Sequence, residues 1–430
     1  MTKIEHKTRL RSGATIALAV TVLSIGTTAN AQNLSGSSIA APSYGIPPAA
    51  NTARALNEPP GVIEGVLSGF YASLGVAVAT TDNVNRVPES SELYDSDTVI
   101  AFTPRLGYQT NLGRHQAFIE YSGFSENYQD FTNLDAMDNR IHGAINFDLT
   151  DKLDAGIWAG WADVNERRGT SGAPVLQIDP NEVEITDFGG DLRYGTMAAR
   201  HMQFRVGVDA ENWRYQNNEQ QFRDRDTTGA YGEIHYNVSD ITSVFVLAGF
   251  RNFEYTSANA ANSDSDETTL EVGAEWQATS KTSGRVSVGQ QDKDYDDPSV
   301  EDQDTTTYLA RVSWNPKSYT TVNFYGSKRF EEASTVLGDA FVSTLWGIGA
   351  THSFAKRWNG NIHYNYITDD YDDGREDNYH DFGIGVNYLF RWWLSFGAQY
   401  GYIKRDSTLA INEYDENVFG LTMQLNYSQQ

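Results

Sequence analysis

The 430-residue chain carries 32 Lys and Arg against 57 Asp and Glu, a formal net charge of −25, and no cysteine. That acidity argues against binding to nucleic acid or to an anionic membrane surface, and the absence of thiols rules out disulfides and thiolate metal sites. Aromatic residues reach 12%, with 24 Tyr, 20 Phe and 9 Trp, more than an ordinary soluble surface has use for.

Residues 1–31 read as a secretory signal peptide. Lys3, Lys7, Arg9 and Arg11 form a basic n-region, 14–25 an apolar h-region, and Ala29-Asn30-Ala31 a small-residue cleavage site. No cysteine follows that site, which excludes a lipoprotein anchor, and no run of about 18 apolar residues follows to make a membrane helix. Without the leader the charge is about −28. Residues 32–66 mix Ser, Ala, Pro, Gly and Asn without periodicity and are expected to form a periplasmic linker.

From 67 to 430 the pattern is different. Short runs alternate apolar with polar residues, as where Phe419, Leu421, Met423, Leu425 and Tyr427 interleave with Gly420, Thr422, Gln424 and Asn426. Each such strand has one greasy and one wet face, and a secreted chain satisfies both by closing into a barrel with lipid outside and a polar lumen inside. The connections alternate between two kinds. Tight polar turns include Asn111-Leu112-Gly113-Arg114, Thr150-Asp151-Lys152, Thr279-Ser280-Lys281 and Asn315-Pro316-Lys317. Longer acidic ones cover 82–96, 167–183, 217–226, 257–266, 292–304 and 369–378. Short periplasmic turns and long external loops are the asymmetry of outer-membrane barrels, whereas a propeller of similar repeat length has no reason to sort its connections. The expected fold is therefore all-β, a transmembrane antiparallel up-and-down β-barrel of about 18 strands, with 16 as the alternative count, in the outer membrane of a Gram-negative bacterium. Only 244–250 (Val-Phe-Val-Leu-Ala-Gly-Phe) fails to alternate cleanly.

With the greasy set facing lipid, the charged residues of the strands must face inward, because an Arg or Lys at the bilayer midplane costs about 2–4 kcal/mol. The pore-lining candidates are Arg105, Glu120, Arg140, Asp154, Arg193, Arg205, Asp209, Glu233, Glu271, Glu275, Arg285, Arg311 and Arg329. They read either as a lining that selects a polar solute or as Arg–carboxylate pairs that fill the lumen from neighbouring strands. Trp158, Tyr231 and Tyr325 also point inward and could stack on sugar rings, or serve as filler, with Trp213 and Trp393 as lesser candidates. Asp369, Asp370, Asp372 and Asp373 are loop candidates for a hard cation such as calcium, which would bridge to lipopolysaccharide. No stretch fits the calcium-loop pattern, however, and a solvated acidic loop is the plainer reading. The histidines are scattered and no H-E-x-x-H, G-x-S-x-G, P-loop or dinucleotide fingerprint occurs, so neither catalytic residues nor a cofactor are expected.

The segment Leu74-Gly75-Val76-Ala77-Val78-Ala79-Thr80-Thr81-Asp82-Asn83-Val84-Asn85-Arg86, then Ser96-Asp97-Thr98-Val99-Ile100-Ala101-Phe102-Thr103-Pro104-Arg105-Leu106, resembles the start of the putative beta-barrel porin 2 family. The family's Asp-x-Asn or Asp-Asn element, its strand with a central Pro, and its Leu/Val-Ser/Thr turns (Leu149-Thr150, Val238-Ser239) recur here. The resemblance covers 70–427. It implies an outer-membrane barrel tied to capsule or exopolysaccharide systems, hence polysaccharide export with periplasmic export partners. One departure bears on membrane insertion: Tyr427 is followed by Ser428-Gln429-Gln430, whereas such barrels usually end on an aromatic residue. The expected function is a porin for a polar solute. The alternative is a plugged structural or adhesion barrel whose acidic loops bind cations, lipopolysaccharide or a partner protein.

Overall fold

The computed structural model describes residues 69–170, 179–196, 198, 200–256, 264–276, 281–332 and 340–428. The expected signal peptide and linker, most of the 257–266 loop, part of the 167–183 loop and part of the Thr279-Ser280-Lys281 turn lie outside these residues.

Among the described residues the chain forms eighteen strands. In chain order they are β1 (Gly69–Thr81), β2 (Asp97–Leu112), β3 (His115–Tyr128), β4 (Ala136–Thr150), β5 (Leu153–Glu166) and β6 (Asn181–Gly195). Next come β7 (Met202–Tyr215), β8 (Arg225–Ser239), β9 (Thr242–Tyr255), β10 (Ser265–Trp276), β11 (Thr282–Tyr295) and β12 (Gln303–Lys317). The last six are β13 (Thr320–Glu331), β14 (Phe341–Ala355), β15 (Trp358–Tyr371), β16 (Glu376–Arg391), β17 (Leu394–Ser407) and β18 (Tyr414–Ser428). Each strand pairs antiparallel with its sequence neighbours, and β1 closes on β18 from Tyr71 opposite Ser428 to Thr81 opposite Val418. The expected up-and-down barrel is therefore closed, and its count is 18. Followed around the ring, the registers return to β1 displaced by about 22 residues. That stagger tilts the strands by about 40° and sets a backbone radius of about 17 Å.

Exposure alternates along the strands. Leu106, Val208, Leu270, Val288 and Leu421 are more than half exposed on the outside, where lipid would cover them. Outward aromatics gather near the periplasmic ends, among them Phe70, Tyr108, Trp314, Phe354, Trp358, Phe390, Phe396 and Tyr427. Rings meet across strands there, with Phe70 and Tyr108 at 4.6 Å and Trp358 and Tyr388 at 4.8 Å, as an interfacial girdle requires.

The strands run 12 to 16 residues, more than the 9–11 or so that cross a bilayer. Their extracellular ends project beyond the apolar band, and this corrects the loop assignment. Residues 369–378 are mostly strand, since β15 runs to Tyr371 and β16 starts at Glu376, so Asp369 and Asp370 lie on a strand and only 372–375 connects. Likewise β11 reaches Tyr295 and β12 starts at Gln303. Two further external connections, 129–135 and 408–413, escape a sequence reading because they lack a long acidic run, as does the link from β13 to β14, of which 333–339 lie outside the described residues.

Acidic residues continue up the outward face of these projecting ends and oppose each other. Asp226 stands across from Glu254, Asp266 from Asp294, Asp292 from Asp304, and Asp370 from Glu376. Like charges directly opposite destabilise a sheet in the absence of counter-ions; Asp226 is compensated by Arg214, and the others lie above the hydrocarbon where water and ions reach them.

The 244–250 stretch fails to alternate because both of its faces are apolar. Val244, Val246 and Phe250 face out, while Phe245 and Leu247 are buried on the lumen side, each 3% exposed.

The assignment of faces is tested by Val208→Arg, at the centre of β7. Urea unfolding in lipid vesicles should show a loss of about 2–4 kcal/mol, against less than about 1 kcal/mol for lumen-facing Asn323→Arg. Equal losses would contradict it.

Candidate functional site

The candidate site is the lumen. Every pore-lining candidate falls on the inward set of its strand, and most meet an opposite charge. Arg105 lies 2.6 Å from Glu120, which also accepts a hydrogen bond from the Tyr71 hydroxyl at 2.5 Å. Arg193 is 3.5 Å from Asp191 and stands across from Asp154 in the β5–β6 register. Arg251 contacts Asp209 at 2.9 Å, and Arg329 contacts Glu331 at 2.8 Å. Glu271 accepts from the hydroxyls of Ser287 at 2.6 Å and Thr307 at 2.9 Å. Arg140 and Arg311 are half-buried on β4 and β12.

The densest cluster sits on the wall formed by β7 to β11. Glu233 is shared by Arg285 at 2.5 Å, Arg205 at 3.6 Å and His235 at 2.6 Å, while Glu275 joins Arg285 at 3.2 Å and Arg205 at 3.8 Å. Phe245 underlies it, with the Arg285 guanidinium 4.1 Å from its ring centre and the His235 ring stacked at 5.1 Å. This explains the apolar inward residue that spoils the alternation.

His235 also touches the Ser243 hydroxyl, at 3.3 Å from Nδ1, so Ser243, His235 and Glu233 line up in the order of a hydrolytic triad. Ser243 and His235 are each 1% exposed, and Glu233 is neutralised by two arginines. A hydroxyl with no approach for an acyl group does not act as a nucleophile, and the trio serves packing.

The inward aromatic rings lie flat on the wall over glycines of the next strand: Tyr71 over Gly107, Trp158 over Gly189, Tyr231 over Gly207, and Tyr325 over Gly347. A Cβ at Gly347 would fall 2.1 Å from the Tyr325 ring, so the glycine makes room for the ring. Trp158 and Tyr231 keep only 7% and 8% exposure and offer little face to a solute, whereas Tyr325 is half-buried. The Tyr325 hydroxyl donates to Asn365, which donates in turn to Asp381 at 2.8 Å, and His363 stands 3.5 Å from the same carboxylate; Asn361, Asn387 and Gln399 lie on the same wall. Trp213 is buried on β7, and Trp393 is in the turn between β16 and β17, outside the lumen.

Towards the extracellular mouth the lumen is crowded by groups that sequence reasoning missed. Lys293 is fully buried between Glu267 at 3.2 Å and Glu332 at 2.7 Å, with the Phe253 ring 4.1 Å away. Burial disfavours the charged form of Glu332, but Lys293, Arg225 and a hydrogen bond from Tyr255 outweigh it and hold its carboxyl below the usual range. Arg223 turns inward to Glu166 at 2.8 Å, and Asp377 joins Arg375 at 2.6 Å to Arg405 at 2.7 Å. Lys293 and Asp377 were hidden because they fall in runs that look like loops. The available signal was the continued inward phase of Gln291, Lys293 and Tyr295.

Of the cation candidates, Asp369 is fully buried and accepts from the Ser343 hydroxyl at 2.7 Å, while Asp370, Asp372 and Asp373 are exposed. Among the described residues no three His or carboxylate groups gather as a metal site would need.

A closed barrel with a lipid face, an aromatic girdle and a charged interior is a porin-type outer-membrane protein. The family model for putative beta-barrel porin 2 matches residues 69–427, from the first strand to the last, and the chain belongs to this family. The match agrees with the resemblance seen in the sequence, and it places the barrel in the Gram-negative outer membrane. No curated relative matches. Among solved structures the chain is similar to the outer membrane protein OpdK of Pseudomonas aeruginosa, at 10% identity over 83% of this chain and 99% of that one, with TM-score 0.45. It is also similar to the FrpB iron transporter of Neisseria meningitidis, at 8% identity over 84% and 83%, TM-score 0.48. A third is the ferric enterobactin receptor PfeA of P. aeruginosa, at 8% identity over 84% and 81%, TM-score 0.43.

Glu233→Ala would leave Arg205, Arg285 and His235 without their shared carboxylate. Stability measured by urea titration of the refolded barrel should fall by about 3–5 kcal/mol. An unchanged unfolding midpoint would show that the cluster is not coupled to folding.

Proposed function

We propose that the protein is a passive outer-membrane channel for a polar solute. The observation that carries this reading is the interior of a closed barrel of about 17 Å backbone radius, lined over its membrane-spanning length mainly by arginines, carboxylates and amides, with buried apolar clusters around Tyr379 and Tyr414 and around Trp213 and Tyr215 gathered at the extracellular end. Because most of the charges are paired, the channel discriminates weakly between small ions. The acidic outer ends enrich cations near the mouth. The finer role, polysaccharide export with periplasmic partners, is supported by the family resemblance and by the amide-rich wall of Tyr325, Asn361, Asn365, Asn387 and Gln399 around the His363–Asp381 pair.

A second reading is a structural or adhesion barrel that binds lipopolysaccharide through cations. The opposed carboxylates at the extracellular strand ends favour it, since divalent ions between them would relieve the repulsion and bridge to anionic headgroups.

Purified protein in planar bilayers separates the two. The channel reading expects discrete conductance steps with a weak cation preference that fades at high salt. A folded barrel that never conducts, with or without oligosaccharides present, would sink it and leave the structural reading.

A further inference from the structure

We infer that the periplasmic rim between β12 and β17 is a binding site for anionic phospholipid of the inner leaflet, with Lys317, Lys356, Arg357 and Arg391 taking the phosphates. The inference needs only the barrel and its orientation in the membrane, and it holds whether or not the barrel conducts.

Three neighbouring turns close this part of the rim: 318–319 between β12 and β13, 356–357 between β14 and β15, and 392–393 between β16 and β17. Adjacent strands are about 6 Å apart around the ring, so successive turns stand about 12 Å apart. The stretches that form them, 313–321, 351–360 and 387–396, hold the four cations and no Asp or Glu, in a chain whose acidic residues outnumber its basic ones by 57 to 32. All four cations are exposed, and among the described residues none of them joins a salt bridge. The rest of the periplasmic rim is mixed. Arg114 lies 3.8 Å from Asp148, Lys152 follows Asp151, and the β8–β9 turn carries Asp240. The net charge of −25, which counts against an anionic surface for the chain as a whole, conceals this one basic sector.

The rings beside the cations decide what they face. Trp314, Phe354, Trp358, Phe390 and Phe396 belong to the outward sets of their strands and are exposed there. Trp392, at the tip of the β16–β17 turn, is 66% exposed, and the Arg391 guanidinium stands 5.0 Å from the Phe390 ring centre. Aromatic rings settle at the boundary between acyl chains and headgroups, and Lys and Arg just beyond them reach the phosphates. An acidic protein docking from the periplasm would meet the turn tips but not the outward rings. A phospholipid meets both, with its phosphate at the turn and its acyl chains along the strands. Each Lys or Arg near an anionic surface gives about a fivefold preference, which weakens as salt is raised.

The test offers the refolded full-length barrel, in neutral detergent, equal amounts of phosphatidylglycerol and phosphatidylcholine with the same acyl chains. Native mass spectrometry counts the lipids that stay bound. At low salt the unaltered protein should keep phosphatidylglycerol over phosphatidylcholine by at least about fivefold, and K317Q/K356Q/R357Q/R391Q by less than about twofold. The control R114Q/K152Q, in the mixed part of the rim, should retain the preference. If the fourfold variant fails to fold, judged by the heat-dependent gel shift of the barrel, K356Q/R357Q alters one turn only and should lower the preference at least about twofold. An unaltered barrel that keeps both lipids equally would overturn the proposal and leave the basic turns to an acidic periplasmic protein. A control that loses as much as the fourfold variant would also overturn it, since the attraction would then belong to the whole rim.

Discussion

Inside a bilayer no water is available to a peptide group, so every backbone N–H and C=O needs a protein partner. An open sheet fails this at its two edge strands, and the closure of β1 on β18 removes both. The rest of the architecture depends on that seam. Once the sheet is closed, period-two side chains are split between lipid and lumen with no third option. Each strand's sequence is then constrained on one face by hydrocarbon and on the other by what the lumen tolerates.

The lumen of this barrel tolerates charge only in company. Arg205, Glu233, His235, Glu275 and Arg285 neutralise one another over Phe245, and Lys293 sits between two glutamates with no exposure of its own. Removing one partner from such a cluster costs more than the net worth of the pair, because the others stay behind buried. The glycines complete the picture. Gly107, Gly189, Gly207 and Gly347 leave hollows into which Tyr71, Trp158, Tyr231 and Tyr325 lie flat. These four rings therefore thicken the wall without projecting across the channel, whereas Tyr379, Tyr414, Trp213 and Tyr215 pack into buried apolar clusters at the extracellular mouth.

Much of this could be read from the chain. Alternation such as Phe419 to Tyr427 fixed strand faces, tight turns and longer connections fixed orientation and strand number, and the inward phase of Arg205, Glu233 and Arg285 came from the cost of placing them in lipid. What could not be read has a common physical cause: the pattern reports which face a residue takes, but not what covers it. Phe245 looked like a break in alternation because its cover is a cation. Asp369 and Asp377 looked like loop residues because the strands outrun the membrane, so hydrophobic alternation ends before the hydrogen-bond ladder does. Trp158 and Tyr231 looked available to a sugar because a glycine opposite them in register is invisible along a single strand. The burial of Asn83 and the hold of Glu416 on Arg86 at 2.8 Å join residues more than three hundred positions apart.

The central claim, that each strand divides lipid from a watery lumen in strict alternation, is open to direct measurement because the chain has no cysteine. Single cysteines along β15, each carrying a nitroxide in lipid vesicles, would report collisions with lipid-soluble oxygen and with a water-soluble nickel complex. The account predicts that labels at positions 359, 361 and 365 collide with nickel and those at 362, 364 and 366 with oxygen, in a period of two. A uniform profile, or one with the phase reversed, would contradict it.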